Sequence, residues 1–166
     1  MMGSGKSAVG RGLARRLCLK FADSDLEIEK NAGCSVVEIF AREGEEGFRR
    51  LEALVIRQMG KEEPLVVATG GGAPAQPGMI DFMTEQGTVV YLRARPETLL
   101  GRIGNAKTRP MLSDLTREGR IDRLKTLQRE REPSYSRAEV TIDTDEALVT
   151  EIVEEIAGKL NQLGAG

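Results

Sequence analysis

The residues Gly3-Ser4-Gly5-Lys6-Ser7 have the types and the spacing of a loop that binds phosphate. Glycines allow backbone N–H groups to close around phosphate oxygens, and a helix that begins directly afterwards adds partial positive charge. Lys6 is placed to reach the β- and γ-phosphates of a nucleotide, and the Ser7 hydroxyl is placed to ligate Mg²⁺. The alternative is a chance glycine-rich helix cap, but residue frequencies produce this pattern in only roughly 1% of chains of this length.

The full phosphate-loop pattern contains one more glycine, whose place would precede Met1. The loop also normally follows a strand that is central in a doubly wound sheet. The sequence contains neither this glycine nor this strand. We therefore expect either that the chain begins late relative to the natural product or that its phosphate site is impaired.

Two carboxylates, Asp23 and Asp25, follow a short strand-like segment at Lys20–Ala22. Residues two apart on an extended backbone point to the same side, so both would face a pocket at the carboxyl ends of the strands. One carboxylate is suited to organise Mg²⁺ through water, and the other is suited to accept a proton from a substrate hydroxyl. The alternative is a solvated helix N-cap, which is the favoured interpretation for the pair taken alone.

The elements that must position these groups alternate between helices and short apolar strands. The run Leu65–Thr69 predicts a strand buried on both faces, and it ends in the glycines Gly70–Gly72. A charged helix is predicted over about 117–131 and should stop before Pro133. Residues 104–116 are polar and lack strong periodicity, which predicts a mobile loop. This alternation predicts an α/β layered fold with a mainly parallel sheet in one domain.

Composition excludes several functional classes. With 24 Lys and Arg against 26 Asp and Glu, and with only 4% aromatic residues, nucleic-acid binding is not expected. The sequence has no histidine, which excludes Ser-His-Asp and Cys-His catalysis and His-ligated zinc. No apolar run is long enough to span a membrane, and the two cysteines Cys18 and Cys34 suit a reducing compartment. We therefore expect a soluble, cytoplasmic protein.

Four further motifs follow the phosphate loop and the two aspartates along the chain. They are Gly47-Phe48-Arg49-Arg50-Leu51-Glu52, Gly70-Gly71-Gly72-Ala73, Thr108-Arg109-Pro110 and Arg131-Glu132-Pro133-Ser134-Tyr135. With these motifs in this order, the chain from its second residue to about residue 145 resembles the shikimate kinases. The resemblance implies a P-loop NTPase fold, three-layer α/β/α, with a five-stranded parallel sheet whose first strand is missing from this chain. It also implies a single domain over 1–166, a substrate-binding subdomain at about 25–60 and a mobile lid at about 104–116.

The activity that this resemblance implies is transfer of the γ-phosphoryl group of MgATP to the 3-hydroxyl of shikimate. The products are shikimate 3-phosphate and ADP, in aromatic amino-acid biosynthesis, and the implied oligomeric state is a monomer. Two alternatives stay open from the residues. One is another P-loop kinase for a small hydroxylated metabolite, such as a gluconate-kinase-like protein. The other is a non-catalytic binding domain derived from a kinase, which the shortened phosphate loop motivates.

The resemblance also implies roles for individual residues. Lys6, Asp25 and Arg109 are implied to be catalytic, with Asp25 placed as the base, and Glu52 supports the pocket. Ser7 and Asp23 are implied to hold Mg²⁺. The residues implied to bind the nucleotide are Gly3, Ser4, Gly5, Lys6, Ser7, Ala8, Arg102 and Arg109. The residues implied to bind shikimate are Asp25, Arg49, Gly71, Gly72 and Arg131, with the two arginines on the carboxylate, a contact that suits the guanidinium fork.

Overall fold

The structure, a computed structural model, describes residues 1–61, 64–104, 111–113 and 115–164. Helices and short strands alternate along these residues, as the sequence predicts. The helices are α1 (Lys6–Leu17), α2 (Ser24–Ala32), α3 (Val36–Met59), α4 (Met79–Gln86), α5 (Pro96–Arg102), α6 (Arg117–Tyr135) and α7 (Val149–Gly164), with a 3-10 turn at Ala73–Ala75. The strands are β1 (Lys20–Asp23), β2 (Leu65–Ala68), β3 (Val90–Arg93) and β4 (Val140–Asp143).

The strands form two parallel pairs in the described part of the chain. β1 pairs with β2, with Asp23 opposite Ala68, and β3 pairs with β4, with Arg93 opposite Asp143. The carboxyl ends of the strands in each pair therefore lie at the same edge, where ligands bind in α/β folds. The parallel α/β architecture is as predicted, but the described strands form two separate pairs and not the single five-stranded sheet that the resemblance implies.

A cavity of about 560 Å³ lies between the two strand pairs and is lined by β2, by β3 and by the inner face of α1. Val66 and Val90 line it and are only half-buried. The prediction that the strand at Leu65–Thr69 is buried on both faces was therefore wrong, because one side of β2 meets this cavity. Ala68 is the residue of β2 that is buried.

The long helix α3 begins at a capping box and bends at one glycine. The Ser35 backbone N–H donates to the Glu38 carboxylate at 2.8 Å, and the Glu38 N–H donates to Ser35 Oγ at 3.2 Å. Gly44 leaves the helical conformation, with a φ of 70°, whereas Gly47 stays helical. The segment after the bend carries Arg49 toward the end of β2.

Helix α6 runs past its proline, which corrects the predicted end before Pro133. A proline inside a helix removes one backbone hydrogen bond. Packing stabilises the turn nevertheless, because the buried ring of Tyr135 lies against Tyr91 with ring centroids 4.6 Å apart. The extra turn places Tyr135 one turn beyond Arg131, on the same face of α6.

The core beneath the phosphate loop is formed by α1 and α7 packed against β3 and β4. Among its fully or nearly fully buried side chains are Val9, Ile142 and Ile156. Burial of such aliphatic side chains contributes about 1.5–3 kcal/mol each relative to exposure. Among the helices that the structure describes, none is both long enough and apolar enough to cross a membrane.

Candidate active site

The phosphate loop precedes α1 and depends on glycine at Gly3. The φ of Gly3 is 74°, in the left-handed region, and a Cβ there would lie 2.6 Å from the Leu99 carbonyl oxygen. The loop also closes on itself, because Ser4 Oγ and Lys6 Nζ both donate to the Met1 carbonyl, at 2.8 and 2.6 Å. The ammonium group of Lys6 is thus held over the loop at the positive end of α1.

Ser7 and Asp23 meet next to this loop. Ser7 Oγ donates to Asp23 Oδ2 at 2.6 Å, while Asp23 Oδ1 accepts the Asp25 N–H at 3.1 Å and so caps α2. The two interpretations of Asp23, helix cap and metal-site residue, are therefore compatible in one side chain. A hydroxyl and a carboxylate oxygen are donors that suit Mg²⁺, which usually keeps several waters and takes the rest of its ligands from phosphates. Among the described residues, no group of three or more histidine, cysteine, aspartate or glutamate side chains is placed to hold a metal ion.

Asp25 lies in the first turn of α2 rather than on extended backbone, so the strand argument for its direction was wrong. It nevertheless faces the end of β2, because a Cβ at Gly70 would lie 3.2 Å from Asp25 Oδ1. The fully buried Ser24 fixes this approach, since its Oγ accepts the Gly70 N–H at 3.0 Å. The role of Ser24 was not predicted from the sequence. Its position between Asp23 and Asp25 was the signal that could have indicated it.

Arg49 and Glu52 form an ion pair on α3, with Nη1 to Oε2 at 2.6 Å. Glu52 is fully buried and also accepts from Gln76 Nε2 at 2.8 Å. Burial raises the pKa of Glu52, although the charge of Arg49 opposes this. Burial lowers the pKa of Arg49, but the carboxylates of Glu52 and Glu45 outweigh it, so this pKa is raised and the guanidinium stays charged. The role of Gln76 was not predicted, and no motif marks it.

Arg49 and Arg131 approach the glycine turn after β2 from two different helices. A Cβ at Gly72 would overlap the Arg49 guanidinium, and a Cβ at Gly71 would lie 3.3 Å from Arg131 Nη1. Arg131 is only 6% exposed, and its Nη1 lies 3.5 Å from Met1 Sδ. Two guanidinium groups beside a bare backbone form a site suited to a small anion that bears a carboxylate.

At the other end of the site, Arg102 in the last turn of α5 binds the segment that follows β4. Its Nη1 donates to Thr144 Oγ1 at 3.0 Å, and its Nη2 donates to the carbonyls of Thr144 and Asp145. The exposed guanidinium group is thus fixed beside Thr144 and Asp145, which follow β4. Ala8 is exposed in the first turn of α1. The predicted lid residues 105–110 and 114, which include Arg109, lie outside the described residues.

A sequence model of the family described as Shikimate kinase matches residues 2–161. The chain belongs to the shikimate kinase family. The Shikimate kinase of Pelotomaculum thermopropionicum is 43% identical over 155 residues, which cover 93% of this chain and 88% of that protein. The Shikimate kinase of Paracidovorax citrulli is 45% identical, with 98% of this chain and 89% of that protein covered. The family prediction is confirmed, and the chain is an ATP-dependent kinase.

Solved shikimate kinases share the fold. The structure of the Acinetobacter baumannii enzyme in complex with shikimate superposes with a TM-score of 0.91 at 38% identity, covering 97% of this chain and 89% of that one. The Aquifex aeolicus enzyme gives a TM-score of 0.84 at 36% identity, covering 99% and 94% of the two chains. The predicted P-loop NTPase fold is confirmed, while the roles of the individual residues stay predictions.

Proposed function

We propose that this chain transfers the γ-phosphoryl group of ATP to the 3-hydroxyl of shikimate, giving shikimate 3-phosphate and ADP. The observation that carries this proposal is the convergence of Arg49, Arg131 and Asp25 on the glycine turn after β2. A carboxylate of the substrate is recognised by the two guanidiniums, and a hydroxyl by the aspartate. The relative from Acinetobacter baumannii, whose fold is so similar, was solved with shikimate.

In the proposed mechanism, Arg49 and Arg131 hold the shikimate carboxylate, and Glu52 holds Arg49 in place through the 2.6 Å ion pair. Gly71 and Gly72 allow the substrate to approach the backbone closely. Asp25 accepts the proton of the 3-hydroxyl as its oxygen forms a bond to the γ-phosphorus and the bond from phosphorus to the ADP oxygen breaks. Phosphoryl transfer depends on positioning and charge stabilisation, so no nucleophilic side chain is required.

The nucleotide is bound at the start of α1. The backbone amides of Gly3, Ser4, Gly5 and Ala8 surround its phosphates, and Lys6 stabilises the charge that develops on the transferred group. Ser7 and Asp23 would hold Mg²⁺, whose contribution when bound is to neutralise phosphate charge. Arg102 stacks on the adenine, since its guanidinium plane is fixed by the segment after β4.

The proposal also covers the subdomains of the chain, its oligomeric state and its cellular compartment. Residues 25–60 form the substrate-binding subdomain, because α2 and α3 carry Asp25, Arg49 and Glu52. Residues 104–116 form a lid that closes over the nucleotide and brings Arg109 to the γ-phosphate, which keeps water from accepting the phosphoryl group. The chain acts as a monomer in the cytoplasm, and its free cysteines Cys18 and Cys34 suit a reducing compartment.

The test is the rate of ADP release from MgATP with shikimate, with gluconate and with no acceptor. The proposal predicts release that saturates with shikimate and stays at background with the other two. Equal release with gluconate would assign the chain to another hydroxyl acceptor. Release that does not depend on any acceptor, or none at all from folded protein that binds ATP, would contradict the proposed activity.

A further inference from the structure

The motif that ends α6 contains a tyrosine that the proposed mechanism does not use. Tyr135 is 5% exposed, and its hydroxyl donates a 2.5 Å hydrogen bond to the carbonyl oxygen of Gly71. Gly71 is 64 residues away in sequence and belongs to the turn on which the two arginines converge. A buried phenol therefore holds one specific peptide group of the proposed shikimate site.

That peptide group determines the direction of a substrate-facing amide. The carbonyl of Gly71 and the N–H of Gly72 belong to the same planar trans peptide, so they point in opposite directions. Two successive glycines leave this peptide free to rotate, since neither has a Cβ that restricts it. A hydrogen bond that fixes the carbonyl toward Tyr135 also fixes the Gly72 N–H toward the opposite side.

We propose that Tyr135 is a positioning residue for shikimate, which aims the Gly72 N–H into the substrate site by holding the Gly71 carbonyl. This inference rests on the proposed function. Tyr135 acts through the peptide and not by contact with the reacting atoms. It lies one turn beyond Arg131 on α6, so the helix that supplies a guanidinium to the carboxylate also orients the neighbouring backbone.

Two further observations support a lasting hydrogen-bond donor at this position. Burial raises the pKa of the Tyr135 hydroxyl, although Arg131 opposes this, so the phenol keeps its proton at neutral pH. The ring is also fixed, because it packs against Tyr91 with an interplanar angle of 42°. A fixed ring with a protonated hydroxyl donates continuously to the Gly71 carbonyl, which a solvent-exposed phenol would not do.

Tyr91 provides the matched control, because it is a buried tyrosine in the same ring pair, 7% exposed. Tyr135→Phe and Tyr91→Phe each remove one hydroxyl and keep both rings. We expect Tyr135→Phe to raise the KM for shikimate about three- to tenfold, the range for one lost hydrogen bond. The KM for ATP should stay within about twofold of the parent value, and Tyr91→Phe should leave both constants unchanged.

Amide hydrogen exchange of the free protein supplies an independent measurement. The Gly72 N–H should exchange faster in Tyr135→Phe than in the parent chain, and Tyr91→Phe should exchange like the parent. An unchanged KM for shikimate, or an equal rise for shikimate and ATP, would overturn the inference. The same change of KM or of exchange rate in Tyr135→Phe and in Tyr91→Phe would also overturn it. If the parent chain itself does not phosphorylate shikimate, the proposed function fails, and the exchange rate alone then decides whether Tyr135 orients this peptide.

Discussion

Ser7 Oγ donates a 2.6 Å hydrogen bond to Asp23 Oδ2, which joins the first turn of α1 to the carboxyl end of β1. The other oxygen of the same carboxylate caps α2 by accepting the Asp25 N–H. One side chain therefore connects the helix that begins with Lys6 to the helix that carries Asp25. In the proposed function, this connection sets the proposed base relative to the phosphates and the metal ion.

Asp23→Asn should separate the capping role of Asp23 from its role near the metal. Asparagine caps helices as well as aspartate does, so the melting temperature should change little. The lost negative charge should raise the Mg²⁺ concentration needed for half-maximal ADP release about 10- to 100-fold. The control is Asp81→Asn, which removes an exposed carboxylate in the first turn of α4. An unchanged Mg²⁺ requirement in Asp23→Asn would remove Asp23 from the metal site.

Asp25→Asn should abolish turnover and leave nucleotide binding intact. Loss of a general base lowers kcat by about 10²- to 10⁴-fold. ATP binding should not change, because Asp25 lies at the substrate end of the site and not at the phosphate loop. The measurements are kcat from ADP release and the Kd of ATP from titration calorimetry. Glu27→Gln, which changes a half-exposed carboxylate on the same helix, should keep full activity. Undiminished kcat in Asp25→Asn would exclude Asp25 as the base.

Arg49→Ala should weaken shikimate binding far more than ATP binding. The variant loses a charge-assisted contact to the substrate carboxylate, and such bonds contribute about 1.5–3 kcal/mol, or about 10- to 150-fold in KM. Arg50→Ala is the matched control, because this neighbouring arginine pairs with Glu46 on the exposed side of α3. Steady-state kinetics with each substrate varied provide the comparison. Similar increases in both KM values would show that Arg49 stabilises the fold and does not select the substrate.

Glu52 predicts a pH dependence of stability with a defined sign. Burial raises its pKa above the ordinary value of 4.5. At pH values between the ordinary pKa of the unfolded chain and the raised pKa of the folded chain, Glu52 is protonated in the native state and ionised in the unfolded state. The free energy of unfolding therefore falls as the pH rises through this interval. Urea unfolding of the parent chain and of Glu52→Gln at a series of pH values in this interval gives the contribution of Glu52 to the free energy of unfolding, as the difference between the two proteins. The stability of the parent relative to the variant should decline with pH, and a difference that increases with pH would contradict the assignment.

Much of the fold and site could be predicted because the signals are local. A glycine loop before a helix, the capping box at Ser35 and the valine-rich strands each follow from neighbouring residues, and each element is present. The convergence of Arg49 and Arg131 on Gly70–Gly72 is not local. The resemblance implies that both arginines bind the substrate, and this role stays a prediction. Their approach to the glycine turn depends on how α3 and α6 pack against the 3-10 turn that follows it.

The features that sequence missed are set by tertiary packing. The end of α6 at Tyr135 depends on packing against Tyr91, which outweighs the helix-breaking tendency of Pro133. The contact of Ser24 with Gly70 joins residues that are distant in sequence, and no periodicity marks it. The half-burial of Val66 likewise reflects a cavity and not the residue type. Such contacts become visible only when the elements are placed together.

The most direct measurement is NMR identification of the product formed from equimolar ATP and shikimate. The proposed function predicts one phosphate monoester, with phosphorus coupled to the proton on carbon 3, in an amount equal to the ADP released. Phosphate on another hydroxyl would contradict the placement of the substrate between Arg49, Arg131 and Asp25. Free inorganic phosphate with unchanged shikimate would contradict the proposed transfer itself.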